Sequence, residues 1–263
     1  MNEIADIRSV GLIVIGNEVL SAKVRDENTP FVLERFSRAG LRVGEVAIVP
    51  DHVPRLAEVI RDFSRRFDLV VTTGGVGPTH DDCTWQAVAL ALDEPLELHQ
   101  ELVDRIEKRS GVPMTEEQKR MALLPRGTTL QVSDGRWPLL QTRNVLVLPG
   151  VPSMVFGRIE ALCARLARPR PWLATAYFTA DEWLCVAAID AVVADYRDLE
   201  IGSYPVFYPA DHKLRLTFEG PDEARIQAAV AQVTAAIGEA ELVRVTWRPP
   251  TDLPPEQAAV DPA

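Results

Sequence analysis

The chain has 263 residues, of which 47% are hydrophobic and 25% charged, and its formal net charge is −10. This length allows one large domain or a medium-sized domain followed by a small one, and the acidic balance argues against nucleic acid as the principal partner. No signal sequence opens the chain and no apolar run approaches the roughly 20 residues of a membrane helix, so we expect a cytoplasmic protein with no membrane partner.

The first half alternates short β-branched runs with longer amphipathic segments. Asn28 is expected to cap the helix that begins there, and Asp51 the helix that follows the second strand. The spacing predicts strands over 10–15, 43–49, 69–73 and 144–148. It predicts helices over 28–39, 81–92, 100–110, 116–123 and 152–166, and one between the second and third strands with Val53, Leu56, Ile60 and Phe63 at helical spacing.

This alternation is typical of βαβ units, so we expect an α/β domain over 1–170, with a mainly parallel sheet flanked by helices. The proline-rich stretch 168–172 predicts a linker. Residues 174–248 predict a second, smaller α+β domain with the order strand, helix, two strands, helix and strand. The segment 249–263 is rich in proline and acid, which predicts a disordered tail.

The densest motif is the segment 72–84, Thr-Thr-Gly-Gly-Val-Gly-Pro-Thr-His-Asp-Asp-Cys-Thr, between a buried strand and a helix. Its three glycines let backbone N–H groups approach an anion closely, and the helix start adds partial positive charge. Ligands of parallel sheets bind at the carboxyl ends of strands, which favours a phosphate site over a simple tight turn. The candidate ligand-binding residues are Thr73, Gly74, Gly75, Gly77, Pro78, Thr79 and Thr84.

Two acids, Asp81 and Asp82, follow the glycines directly. Adjacent carboxylates would repel a bare phosphate unless a divalent cation lies between them, so the pair predicts a hard metal ion such as Mg²⁺. For either acid alone, capping of the next helix is an equally good interpretation. The residues themselves leave that choice open.

A second polar cluster follows the first strand and should face the same crevice. Gly16, Asn17 and Asn28 are its candidate ligand-binding residues. Glu18 could bind a metal ion or act as general base, and a role as a solvated loop acid is nearly as good an interpretation.

Two further groups of candidates rest on weaker signals. Pro149 and Gly150 end another strand and offer N–H groups to an anion, although a proline-fixed helix entry explains that segment equally simply. In the smaller domain, the segment with Ser203 and Tyr204 could supply a ring that stacks on a base, and Lys213 could supply a positive charge to a phosphate. A turn and a surface lysine are the commoner explanation for such residues.

Segment 73–84 resembles the TGGxGPTxDDxT motif of CinA-type proteins, within the molybdopterin-binding superfamily. Residues 16–20 are similar to that family's G-[TDN]-E-[LIV]-L element and residues 148–152 to its LPGxP element. Segments 180–182 and 199–205 resemble the molybdopterin-binding-type domain of eukaryotic FAD synthase. The first three motifs in this order are highly specific, and the likeness extends to about residue 248.

The sequence also departs from the CinA pattern. The GTAPG segment of the family is absent, and residues 135–139 stand near its place. Ser153 replaces an acidic residue that is common after LPGxP. Both departures concern the identity of the ligand.

The resemblance implies metal-dependent hydrolysis of a nucleotide pyrophosphate such as ADP-ribose or FAD. Our hypothesis is that the glycine-loop amides hold the diphosphate and that Asp81 or Asp82, with Glu18, positions Mg²⁺, Mn²⁺ or Co²⁺. Glu18, Asp81 and Asp82 are therefore the candidate catalytic residues. The resemblance also implies a homo-oligomer, either a dimer or a trimer. Two other functions stay open: a binding or transferase protein of molybdenum-cofactor biosynthesis, and a catalytically silent nucleotide-binding regulatory domain. In each case the expected partner is a small-molecule nucleotide or pterin.

Overall fold

The computed structural model describes residues 7–131, 138–168, 170–208 and 210–249. These form two compact units that divide between Ala167 and Arg168. From residue 250 onward the predicted tail lies outside the described residues, as do residues 135–137 of the segment near the absent GTAPG element. Within the described ranges, no helix is long and apolar enough to cross a membrane.

The first unit contains strands and helices in alternation. Its strands are β1 (Ser9–Ile15), β2 (Arg42–Val49), β3 (Leu69–Thr73), β4 (Leu96–Leu98), β5 (Leu123–Pro125), β6 (Thr129–Gln131), β7 (Leu139–Thr142) and β8 (Val145–Leu148). Its helices are α1 (Asn17–Leu20), α2 (Asn28–Arg38), α3 (Val53–Arg66), α4 (Thr84–Leu92), α5 (Gln100–Ser110) and α6 (Pro152–Leu166).

Six strands form one sheet in the order β2-β1-β3-β8-β7-β6. The first four run parallel, and β7 and β6 pair antiparallel. Helices α2 and α6 cover one face, while α3 and α4 cover the other, so β3 and β8 are buried along their whole length. Such central strands are continuous apolar runs. The predicted mainly parallel sheet flanked by helices is confirmed.

Two predicted helix caps are wrong. Helix α2 begins at Asn28 and its N-cap position is Glu27, while the Oδ1 of Asp26 accepts the backbone N–H groups of Asn28 and Thr29, both at 3.0 Å. Helix α3 has no side-chain cap. The Asp51 carboxylate instead accepts the backbone N–H of Asn17 at 2.8 Å, across the sheet edge. A capping residue and a residue that bridges two loops look alike in the sequence.

Two predicted helices differ in extent. Helix α4 begins at Thr84, so Asp81 and Asp82 precede it in a turn rather than forming its first residues. The predicted helix over 116–123 is a 3₁₀ helix at Gln118–Ala122. The short strands β4 to β7 were not predicted, because runs of three or four residues carry too little alternation to distinguish them from loops.

Asn144 holds the end of α3 against the start of β8. Its Nδ2 donates to the carbonyls of Ser64 and Phe67, both at 2.9 Å, and its Oδ1 accepts from the Ser64 hydroxyl at 2.7 Å. We expect Asn144→Ala to lower the free energy of unfolding by about 2–3 kcal/mol, because partly buried groups lose their partners. Ser64→Ala removes one of these bonds and should cost about 1 kcal/mol. Urea denaturation measures both, and equal losses would contradict the assignment.

The second unit has one sheet and two helices. Its elements are β9 (Trp172–Phe178), α7 (Glu182–Asp195), β10 (Glu200–Pro205), β11 (Leu214–Gly220), α8 (Glu223–Ile237) and β12 (Leu242–Arg248). The antiparallel sheet has the order β10-β11-β9-β12. Alternate residues of β11, namely Leu214, Leu216 and Phe218, are fully buried beneath the two helices. The predicted smaller α+β architecture is confirmed.

Candidate functional site

The glycine-rich segment leaves β3 at the carboxyl edge of the parallel sheet. Gly74 and Gly75 have φ angles of +106° and +64°, a region that favours glycine. A Cβ on Gly74 would collide with the carbonyl oxygen of Ile15 at the end of β1. A Cβ on Gly150 would lie 3.4 Å from the Gly74 Cα. The loops that follow β3 and β8 therefore contact each other, and the β3 loop also contacts the end of β1.

Some backbone N–H groups of this loop are hydrogen-bonded within the protein and others are not. Gly74 donates to the Leu148 carbonyl at 3.1 Å, and Thr79 donates to the Asp82 carboxylate at 2.8 Å. In the described part of the chain, no acceptor is hydrogen-bonded to the N–H groups of residues 75–77, all of which are half-exposed. Three consecutive amides of the loop are therefore available to an anion.

Asp82 closes the loop. Its Oδ2 accepts both the backbone N–H and the hydroxyl of Thr79, at 2.8 and 2.5 Å. Gly77 lies directly beneath this carboxylate, since a Cβ there would be 2.5 Å from Oδ2. Helix α4 has no side-chain cap, so Asp82 stabilises the loop rather than the helix start.

Asp81 is exposed at the tip of the loop, beside the exposed His80. Carboxylates are ionised at neutral pH, so Asp81 adds negative charge next to Asp82.

Thr84 anchors the glycine loop to α4. Its buried hydroxyl donates to the Gly74 carbonyl at 2.8 Å, and its backbone N–H donates to the Gly75 carbonyl at 3.0 Å. Thr84 fixes two glycines, and it orients the loop through these bonds.

The loop after β1 lies at the same edge. The Gly16 N–H donates to the Val49 carbonyl at 3.1 Å, and the Asn17 N–H donates to Asp51. The exposed Glu18 folds back, so that a Cβ on Gly16 would collide with its carboxylate. Of the acids that follow the parallel strands, Asp51 is the one that the sequence interpretation did not place in the site. Its position directly after β2 is the signal that could have identified it.

Cys83 lies directly before α4 and is buried. Burial is the main reason why the pKa of its thiol is raised, and the negative charges of Asp51, Asp82 and Asp81 raise it further. This cysteine is therefore a poor nucleophile.

Asn28 joins α2 to the loop after β8. It is only 7% exposed, and its Nδ2 donates to the Gly150 carbonyl at 2.8 Å. Its Oδ1 is buried without a hydrogen-bond partner, and so is the hydroxyl of Thr73 at the end of β3. Pro149, which precedes Gly150, is half-exposed.

The three candidates in the second unit already have partners there. Ser203 donates its hydroxyl to Glu182, and Lys213 pairs with Asp181 at 3.0 Å. The guanidinium of Arg215 lies over the Tyr204 ring, 4.8 Å from its centre. These contacts leave the predicted ligand roles of the three residues untested.

Metal-ligating side chains are sparse. In the ranges that the structure describes, no group of three or more His, Cys, Asp or Glu side chains is arranged to hold a metal ion. Asp81 and Asp82 therefore offer a pair of carboxylates and not a complete protein cage.

Residues 11–168 match the family model described as "Probable molybdopterin binding domain", and residues 172–246 match "FAD synthase, middle domain". The boundary between the two matches falls close to the division between the two compact units. All candidate residues of the parallel sheet edge lie in the first match.

Individual proteins are similar over most of the chain. A protein of Archaeoglobus fulgidus is 31% identical over 222 residues, which cover 84% of this chain and 94% of that protein. A "Probable FAD synthase" of Caenorhabditis briggsae is 28% identical over 250 residues, but this chain spans only 48% of its length. The crystal structure of CinA from Thermoplasma acidophilum, a protein described as having unknown function, superimposes with a TM-score of 0.55 at 26% identity. That match covers 60% of this chain and 97% of the CinA chain.

Proposed function

The chain belongs to the molybdopterin-binding domain family, followed by a unit of the FAD synthase middle-domain type, and on this basis we propose that it hydrolyses a nucleotide pyrophosphate. The substrate class is that of ADP-ribose or FAD. One observation carries the proposal: residues 75–77 are half-exposed, and their three consecutive backbone N–H groups have no acceptor among the described residues.

These amides suit a diphosphate. Each N–H can donate to a phosphoryl oxygen, and glycine at 75 and 77 lets the oxygens approach the backbone without a side chain between them. The loop leads into the N-terminus of α4, whose partial positive charge favours an anion. Donors that are already oriented also stabilise charge that develops on the phosphate during hydrolysis.

A divalent cation held by the acids would neutralise the negative charge of the phosphates. Asp81 and Asp82 present carboxylate oxygens, which Mg²⁺, Mn²⁺ and Co²⁺ accept, and such ions commonly combine one or two carboxylates with substrate phosphates. Since the described residues contain no larger ligand group, we expect the ion to bind mainly together with the substrate. When bound, it would polarise the phosphorus–oxygen bond and lower the pKa of the attacking water.

Glu18 is the proposed general base. It is exposed at the end of the neighbouring strand β1, and its carboxylate can take the proton that the attacking water loses. The water oxygen then bonds to the adenylate phosphorus, and the bridging oxygen leaves with the other phosphate. The products are AMP and the phosphate ester of the remaining half.

A second function is favoured by the description of the matching family. The same amides could hold the phosphate of a molybdopterin without any hydrolysis, in a binding or transferase role. A catalytically silent nucleotide-binding domain is the third possibility, since this chain spans about half of the FAD synthase that it matches.

The test is a panel of FAD, ADP-ribose, NAD and molybdopterin, each incubated with the full chain and Mg²⁺, Mn²⁺ or Co²⁺. AMP release is measured by chromatography and binding by calorimetry. We expect AMP from ADP-ribose or FAD when a divalent ion is present. EDTA removes the ion, and no AMP should then form, because the carboxylates would repel the phosphates without its positive charge.

The other outcomes separate the alternatives. Binding of molybdopterin with no dinucleotide hydrolysed would support the cofactor-biosynthesis role. Tight nucleotide binding without AMP would support the silent domain, and failure to bind any member of the panel would overturn the anion site itself.

A further inference from the structure

Buried oxygens without partners lie at the end of β3 and the start of α2. Thr72 and Thr73 are 0% and 1% exposed, and neither their hydroxyls nor the Oδ1 of Asn28 has a hydrogen-bond partner among the described residues. A buried polar group that lacks a partner destabilises a folded protein, so native structures contain few of them. Each therefore needs an explanation.

The orientation of the Asn28 carboxamide follows from its neighbour. The Gly150 carbonyl can only accept a hydrogen bond, so the side-chain nitrogen of Asn28 must face it, at 2.8 Å. The side-chain oxygen is then held on the other side. It can only accept a hydrogen bond, and nothing in the described chain donates to it.

Thr73 shares its side of the sheet with Asn28. Successive residues of a strand face opposite sides. Thr73 therefore faces the same side of the sheet as Val71, which packs with α2 and α6. Thr72 faces the same side as Val70, which packs with α3 and α4. Asn28 is the first residue of α2. Thr73 and helix α2, which begins at Asn28, thus lie on the same face of the sheet, and Thr72 lies on the other face.

We propose that Asn28 and Thr73 recognise the uncharged end of the ligand through its N–H or O–H groups. This inference rests on the proposed ligand site at residues 75–77. Phosphate oxygens at neutral pH accept hydrogen bonds and match the free amides of that loop. They cannot match the oxygen of Asn28, which requires a donor. A nucleobase amino group and a ribose hydroxyl are the donors that a nucleotide carries.

The test uses one substitution at two adjacent positions. Thr73→Val and Thr72→Val have the same shape change, and each removes a hydroxyl that lacks a partner. We expect the melting temperature of the full chain to be unchanged or higher for both variants. Only Thr73→Val should weaken the binding of ADP, by about five- to twenty-fold, since it removes one hydrogen bond to the ligand.

Ligand analogues identify the donor. Calorimetry compares ADP with 2′-deoxy-ADP, which lacks a ribose hydroxyl, and with purine riboside diphosphate, which lacks the base amino group. We expect the wild type to bind one analogue about five- to twenty-fold more weakly than ADP. Thr73→Val should bind that analogue and ADP equally. Asn28→Ala should lose the same discrimination, but with a lower melting temperature because it also loses its bond to Gly150.

Three results would overturn the inference alone: wild-type ADP affinity in Thr73→Val, an equal loss of affinity in Thr72→Val, or a marked fall in the melting temperature of Thr73→Val. The last would show that the protein itself satisfies the hydroxyl. If the wild-type chain binds no ADP at all, the proposed nucleotide site fails and this inference fails with it.

Discussion

Gly74→Ala is expected to abolish ligand binding and to lower the free energy of unfolding by more than about 3 kcal/mol. Gly74 has φ +106°, and a Cβ there would collide with the Ile15 backbone carbonyl, which cannot rotate away as a side chain could. Relief of this collision would move the β3 loop away from the end of β1. The free amides at 75–77 would move with it.

The matched control is Gly111→Ala. Gly111 also has a positive φ, +74°, but a Cβ there would have no atom within 4 Å. Gly111→Ala should lower the free energy of unfolding only by the backbone strain, about 1 kcal/mol, and should leave ligand binding unchanged. Urea denaturation and calorimetry with ADP measure both variants. Similar losses of stability in the two would show that the contact with Ile15 does not restrain the loop.

Asp82→Ala is expected to reduce the rate of AMP release at least about 100-fold. Two effects combine in this variant. It removes a carboxylate from the proposed ion site, and it releases the backbone N–H and the hydroxyl of Thr79, which Asp82 holds at 2.8 and 2.5 Å.

Asp82→Asn separates these effects. The asparagine oxygen can still accept from Thr79, so we expect a melting temperature near that of the wild type, while the lost negative charge keeps AMP release low. Asp104→Asn removes a charge from the exposed side of α5 and should leave the rate unchanged. If Asp82→Asn releases AMP at the wild-type rate, Asp82 serves the loop alone, and the metal role must be abandoned for this residue.

The periodicity of hydrophobic residues predicted most of the long strands and helices. Long strands such as β1 and β3 and helices such as α5, α6 and α8 follow from hydrophobic periodicity, since burial on one or both faces requires it. The periodicity did not predict the short strands β4 to β7, because these strands depend on pairing with neighbouring strands.

The sequence predicted which loops meet at the carboxyl edge of the sheet, but not the hydrogen bonds between them. Asn28 and Asp51 were interpreted as helix caps because each polar side chain stands at a predicted helix start. The structure gives them other partners, Gly150 and Asn17, from distant parts of the chain. Local patterns cannot distinguish a side chain that bonds to its own helix from one that bonds across the sheet edge.

The amino-acid sequence alone determined that this protein has a parallel α/β unit with a glycine-rich loop and two acids at a strand end, because periodicity and glycine content are local properties. Only the tertiary structure decided which amides of that loop stay free and which buried oxygens lack partners. Hydrogen bonds such as Gly74 to Leu148 and Asn28 to Gly150 join residues far apart in the chain. Which donors remain available to a ligand therefore depends on how the strands assemble.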